Sequence, residues 1–186
     1  MLQIQILSNI EVILLSIVNE KPSYAYEIDK IIDQRGMRNW VKIGVASIYQ
    51  VLKKLEDKKL VYSKKEKEGK MPDRKRYYIT RQGKTALAET SKRLLAGFEW
   101  YYLDLNIGLE TSDLLNSGEI IDCLNKRLVT VKKNIRRLES IYSFYSESKE
   151  SSYKSKAVAM SLLCFRKAEE DFLNQTIKEL SSNTYE

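Results

Sequence analysis

The stretch VASIYQVLKKLEDKKLVYSKK, residues 45–65, changes its period partway along. From Val45 to about Lys58, the apolar residues Ile48, Val51, Leu52 and Leu55 recur at helical spacing. Ala46, Ser47, Gln50, Lys53 and Lys54 fall on the other face, so the spacing predicts an amphipathic helix with a polar-to-basic exposed side. From Leu60 to Lys65 the pattern is that of a strand, and Arg76-Tyr77-Tyr78-Ile79-Thr80 reads as its partner. The polar stretch between them holds Gly69 and Pro72 and suits the tip of a long basic hairpin.

Working outward, Ser8 and Glu11 form a capping box before a helix with Ile10, Ile13, Leu14 and Ile17 on one face. A second helix is expected from Pro22-Ser23, with Ser23 as its cap, Ile28, Ile31 and Ile32 on its apolar face and Gly36 as its stop. Trp40-Val41-Lys42-Ile43 reads as a brief strand. Thr80 is placed to cap a fourth helix running from Arg81 to about Asn106.

Further on the pattern is all-helical. Between Glu119 and Tyr145, Ile121, Leu124, Leu128, Val131, Ile135, Leu138, Tyr142 and Tyr145 repeat in 3,4 spacing, a coiled-coil seam. The seam either joins two chains or closes within one as an antiparallel hairpin. A serine-rich turn leads to a last helix, Lys156 to Leu180. The expected fold class is mainly α: a winged helix-turn-helix domain over residues 1–85 with a two-stranded β wing, then an all-helical dimerisation domain over 86–186.

Composition narrows the function. The 186 residues contain no histidine, which removes His-based acid–base catalysis, Ser-His-Asp and Cys-His systems and Cys2His2 zinc sites. No clustered carboxylates suggest a metal site, so no enzyme, metal or cofactor is expected. Cys123 and Cys164 lie among apolar neighbours and read as buried thiols in a reducing compartment. The apolar N-terminus has no basic residue before Lys21 and is broken by Glu11, unlike a signal peptide; a cytoplasmic protein without a membrane partner is expected.

The net charge is +7, and its position says more than its size. Residues 53–84 hold 13 Lys and Arg against five Asp and Glu, so one segment carries the whole excess. A charged solvated face is the plain reading. Concentration in one window favours an anion-binding surface, here double-stranded DNA. In a winged helix-turn-helix, the third helix fits the major groove, the second braces it and the hairpin lays cations along adjacent phosphates or the minor groove.

Three segments carry a family resemblance. Pro22-Ser23-Tyr24-Ala25-Tyr26-Glu27-Ile28 resembles the P-x-Y-G-Y-E-L start of helix two in PadR-type regulators. Ser47-Ile48-Tyr49 with Leu52, Leu55-Glu56 and Leu60-Val61 resembles their recognition-helix pattern. Pro72-Asp73-Arg74-Lys75-Arg76-Tyr77 with Ile79-Thr80 and Gly83 resembles their wing signature. Ala25, Gln50 and Lys59 stand where the family usually has Gly, Pro and Gly. The resemblance covers about residues 8–90. It implies a cytoplasmic bacterial transcription factor, usually a repressor, acting as a homodimer through C-terminal helices. The long C-terminal part is similar to the larger subfamily.

Candidate DNA contacts are Ser47, Tyr49, Gln50, Lys53 and Lys54 on helix three and Lys70, Arg74 and Lys75 on the wing. Gln pairs bidentately with adenine, Lys reaches guanine or phosphate, and Arg suits a narrow minor groove. Tyr49 either bonds a phosphate or packs beside Trp40. Arg76, by strand alternation, is free to point back to the body of the wing. On the predicted fourth helix Phe98, Tyr101, Tyr102 and Leu105 share one face, with Trp100 on the opposite side, and the aromatics read either as a dimer or domain core or as a pocket for a small aromatic effector. Two other functions compete: a protein-interaction adaptor using the winged helix as a scaffold, and a membrane-surface binder, for which the basic segment lacks outward apolar anchors.

Overall fold

The computed structural model describes residues 6–66, 74–148 and 152–182. The chain forms two compact units, Met1–Glu99 and Trp100–Glu186.

In the first unit, α1 (Asn9–Glu20) begins at the expected capping box: Glu11 N–H donates to Ser8 Oγ at 3.4 Å, and Ser8 N–H donates to Glu11 Oε2 at 2.8 Å. The second helix starts later than its sequence suggests. Ser23–Tyr24 form a short strand, β1, and α2 spans Ala25–Gln34. Ser23 does not cap: its buried hydroxyl donates to the Lys21 carbonyl, while Glu27 reaches back to Tyr24 N–H at 2.9 Å. Gly36 follows at φ 60, the left-handed stop that its position predicts, and leads into a 3-10 turn, Met37–Asn39. No strand forms at Trp40–Ile43. The third helix, α3, spans Val45–Asp57, with Ile48, Leu52 and Leu55 fully buried.

β2 (Val61–Glu66) and β3 (Arg74–Ile79) form the hairpin, and β1 adds to the free edge of β3. The wing is therefore based on three antiparallel strands rather than two, with Ser23 opposite Tyr77 and Tyr24 opposite Arg76. A two-residue strand is too short to show alternation, so its sequence carried no strand signal. Thr80 caps α4 (Arg81–Ala96) as expected, accepting from Gly83 N–H at 2.9 Å. α1 packs against both α3 and α4 over one apolar core.

Lys59 shows how α3 stops. Leu60 N–H donates to the Leu55 carbonyl and Lys59 N–H to that of Glu56, each at 2.9 Å. That pair of bonds is a Schellman motif, whose penultimate residue must be left-handed. Lys59 accepts φ 59 there. The departure from glycine therefore leaves the backbone in the turn that glycine would form, at a conformational cost. Lys59→Gly is expected to raise stability by about 1 kcal/mol, read by urea denaturation; an unchanged or lower midpoint would show that the lysine is not strained.

The second unit contains α5 (Asp104–Glu110), α6 (Ser117–Glu147) and α7 (Tyr153–Ser181). Of the two closures open to the heptad seam, the hairpin within one chain is the one formed. Leu124, Leu128, Val131, Ile135 and Leu138 of α6 are buried with Leu163 and Leu173 of α7. Arg127 pairs with Glu169 at 2.6 Å and Glu139 with Lys167 at 2.9 Å, partners that run in opposite directions along the two helices.

Two expectations fail here. The helix after the wing ends at Ala96 and residues 97–103 are not helical, so Phe98, Tyr101 and Tyr102 share no helix face with Leu105, which lies in α5. Gly97 ends the run despite apolar spacing that fits a helix. Cys123 and Cys164 are exposed, because each is one residue from a seam position and so turned about 100° away from it.

Candidate nucleic-acid interface

Arg38 braces the turn between α2 and α3. Arg38 donates to the Ile43 carbonyl at 2.9 Å, pairs with Asp29 at 2.5 Å and bonds Asp33 as well. Nothing in the hydrophobic pattern marks this residue. It holds the start of α3 against α2, and so sets the direction of the exposed helix face.

On that face Ala46, Tyr49, Gln50, Lys53 and Lys54 are exposed, while Ser47 is half-buried on the flank. Lys54 Nζ lies 3.7 Å from Glu11 Oε1, so this candidate contact already has an anionic neighbour. Lys53 and Gln50 are nearer the middle of the outward face.

Glu56 joins α3 to the wing. Its Oε1 accepts from Ser63 N–H at 3.1 Å and from the Ser63 hydroxyl at 2.5 Å, and its Oε2 pairs with Lys75 at 3.3 Å. The Ser63 hydroxyl bond, with help from Lys75 and against the effect of burial, holds the Glu56 carboxyl below its ordinary range. Strand alternation sends Lys75 to this side of the sheet. Lys70 lies outside the described residues.

The opposite face of the sheet carries an aromatic and cationic row. Tyr62 stacks on Tyr78 at 5.1 Å and Tyr24 on Tyr26 at 5.6 Å. The Arg74 guanidinium lies 5.1 Å from the Tyr26 ring centre and that of Arg76 4.4 Å from Tyr24. Arg74 and Arg76 thus share this face. Arg76 does turn back onto the body of the wing, pairing with Glu66 Oε2 at 3.2 Å. Glu66 also accepts from the Tyr78 hydroxyl at 2.7 Å and the Tyr24 hydroxyl at 3.0 Å. The Tyr78 and Tyr24 bonds, then Arg76, lower the Glu66 carboxyl below its ordinary range.

Phe98, Trp100, Tyr101 and Tyr102 are all exposed. The structure brings Tyr101 to Phe165 of α7, with ring centres 5.4 Å apart. Among the described residues no helix is long and apolar enough to cross a membrane.

Residues 14–89 match the profile of the transcriptional regulator PadR-like family. Bacillus subtilis PadR in complex with operator DNA has a TM-score of 0.78 at 18% identity, over 93% of this chain and 99% of that one. The same protein in complex with p-coumaric acid gives 0.75 at 17%, over 92% and 98%. The PadR-like regulator BC1756 from Bacillus cereus gives 0.66 at 16%, over 94% and 99%. At these identities the likeness is one of fold. No curated protein matches the chain.

Proposed function

We propose that the chain, whose residues 14–89 match the PadR-like family, is a sequence-specific DNA-binding transcriptional regulator, a repressor that binds a palindromic operator as a homodimer. The observation that carries this reading is the outward face of α3, with Gln50 and Lys53, tied to the Lys-rich wing through Glu56. Gln50 and Lys53 read base edges or phosphates in the major groove, and Arg74 and Lys75 contact the flanking backbone or minor groove. Residues 1–85 read DNA and residues 86–186 dimerise. Since the α6 seam is filled within one chain, the second copy uses other surfaces, such as the exposed Met160, Phe165 and Phe172 of α7.

Selection of bound duplexes from genomic fragments by the purified protein tests the reading. A palindrome with half-sites about 34 Å apart or a multiple of that is expected. Recovery of no preferred sequence would favour an adaptor instead. Gln50→Ala should cost about 1–3 kcal/mol at one operator position, whereas Lys53→Ala, if it loses a phosphate contact, weakens all sequences alike. Light scattering at micromolar concentration should give twice the 21.7 kDa chain mass.

A planar aromatic effector at Trp100–Tyr102 completes the proposal, supported by the p-coumaric acid complex of the structural neighbour. In a Trp40→Phe variant, emission from Trp100 should change over the same ligand range that releases DNA.

A further inference from the structure

In the β2–β3 ladder, Glu66 stands directly opposite Arg74 and Lys64 opposite Arg76. The obvious ion pair would join Glu66 to its cross-strand neighbour Arg74. The carboxylate turns instead to Arg76, on the diagonal, at 3.2 Å. Two tyrosine hydroxyls explain the choice. Tyr24 and Tyr78 donate to its two oxygens at 3.0 and 2.7 Å, and Tyr24 also lies beneath the Arg76 guanidinium. Arg76 is thus held between a carboxylate and an aromatic face, while among the described residues Arg74 lies over the face of Tyr26 alone.

We propose that Glu66 is a positioning residue that decides which wing arginine is available to DNA: it withholds Arg76 and leaves Arg74 to make the contact. This rests on the DNA-binding reading above. Its consequence is for specificity. Every cation that meets a phosphate strengthens binding to all sequences, so a carboxylate that occupies one arginine lowers non-specific affinity without touching the base-reading face.

The test uses the full chain, its selected operator and a scrambled duplex, and reads the slope of log binding constant against log salt. Arg74→Gln should flatten the slope by about one unit, the loss of one phosphate contact. Arg76→Gln should leave it unchanged. Glu66→Gln keeps one acceptor oxygen, and its amide N–H can donate to the second tyrosine hydroxyl, but it loses the charge, so it should steepen the slope by about one unit and tighten binding to the scrambled duplex. Adding Arg76→Gln to Glu66→Gln should return the slope to that of the wild type.

Two results overturn the proposal: Arg76→Gln flattening the slope as Arg74→Gln does, or the double variant keeping the steeper slope. The second would mean that removing any negative charge suffices. If Glu66→Gln does not fold, the comparison of Arg74→Gln with Arg76→Gln still decides. Wild-type protein that retains no duplex in the selection would remove the DNA-binding reading and this inference with it.

Discussion

Gly83→Ala is expected to destabilise the N-terminal unit by about 3 kcal/mol or more, at the upper end of overpacking costs. A Cβ built on Gly83 would lie 2.1 Å from the Leu60 carbonyl oxygen, 3.0 Å from its carbon and 2.8 Å from Ile79 Cγ1. Two of these are backbone atoms that cannot swing aside. The Leu60 oxygen is further pinned by Thr80, whose N–H and hydroxyl donate to it at 3.0 and 3.1 Å. Relief requires α4 to retreat, which opens its contact with α1. For a unit of about 100 residues the loss amounts to a fall of roughly 12 °C or more in melting temperature. Gly108→Ala provides the contrast. It lies within α5, where an added Cβ meets nothing within 4 Å, and should be neutral or stabilising by up to about 1 kcal/mol. Equal melting temperatures for Gly83→Ala and wild type would show that α4 does not approach Leu60 this closely.

Lys58→Met is expected to cost about 2–3 kcal/mol. Glu11 is 1% exposed, and its Oε1 accepts from Lys58 at 2.6 Å. Stranding a buried carboxylate usually costs about 3–5 kcal/mol; the figure is reduced here because Lys58 is partly exposed and Lys54 stands by. The pair also sets an acid dependence. Burial pushes the Glu11 carboxyl upward, but the Lys58 bond, the Ser8 N–H and the charges of Lys58 and Lys54 outweigh it, leaving the group below its ordinary value of 4.5. A carboxyl depressed in the folded state stabilises fully above its unfolded pKa, and that contribution fades as pH falls through the folded value. Wild type should therefore exceed Glu11→Gln in stability at pH 7, with the gap closing below about pH 4.5. A gap that stays constant from pH 7 to pH 3 would mean that the charge contributes nothing.

The parts of this fold that were legible in the sequence rest on short-range regularity. α3, α6 and α7 follow from apolar spacing, α1 and α4 from caps beside it, and β2 and β3 from a change of period. What escaped depends on distant partners. β1 exists because Arg76 and Tyr77 offer an open edge, not because Ser23-Tyr24 prefers to be a strand. Glu11 looked like a capping residue, and it is one; its second role needs Lys58, 47 residues away. In the candidate interface, the outward face of α3 was readable from its helical period. The choice between Arg74 and Arg76 was not, because it turns on two tyrosine hydroxyls from different strands. The aromatic run at residues 98–102 misled for the opposite reason, since its spacing suits a helix that Gly97 interrupts.

The antiparallel seat of β1 on β3, and the packing of α1 on α4, have a consequence during synthesis. A chain is made from its N-terminus at about 5–20 residues per second. α1 and the Ser23–Tyr24 segment therefore wait several seconds, with apolar surface and an unpaired edge uncovered, until residues 74–96 emerge. The start of α6 waits too, since Arg127 meets Glu169 only 42 residues further on. A nascent chain interrupted between Ile79 and Ala96 would carry α3 and both hairpin strands, yet leave uncovered the part of α1 that meets α4.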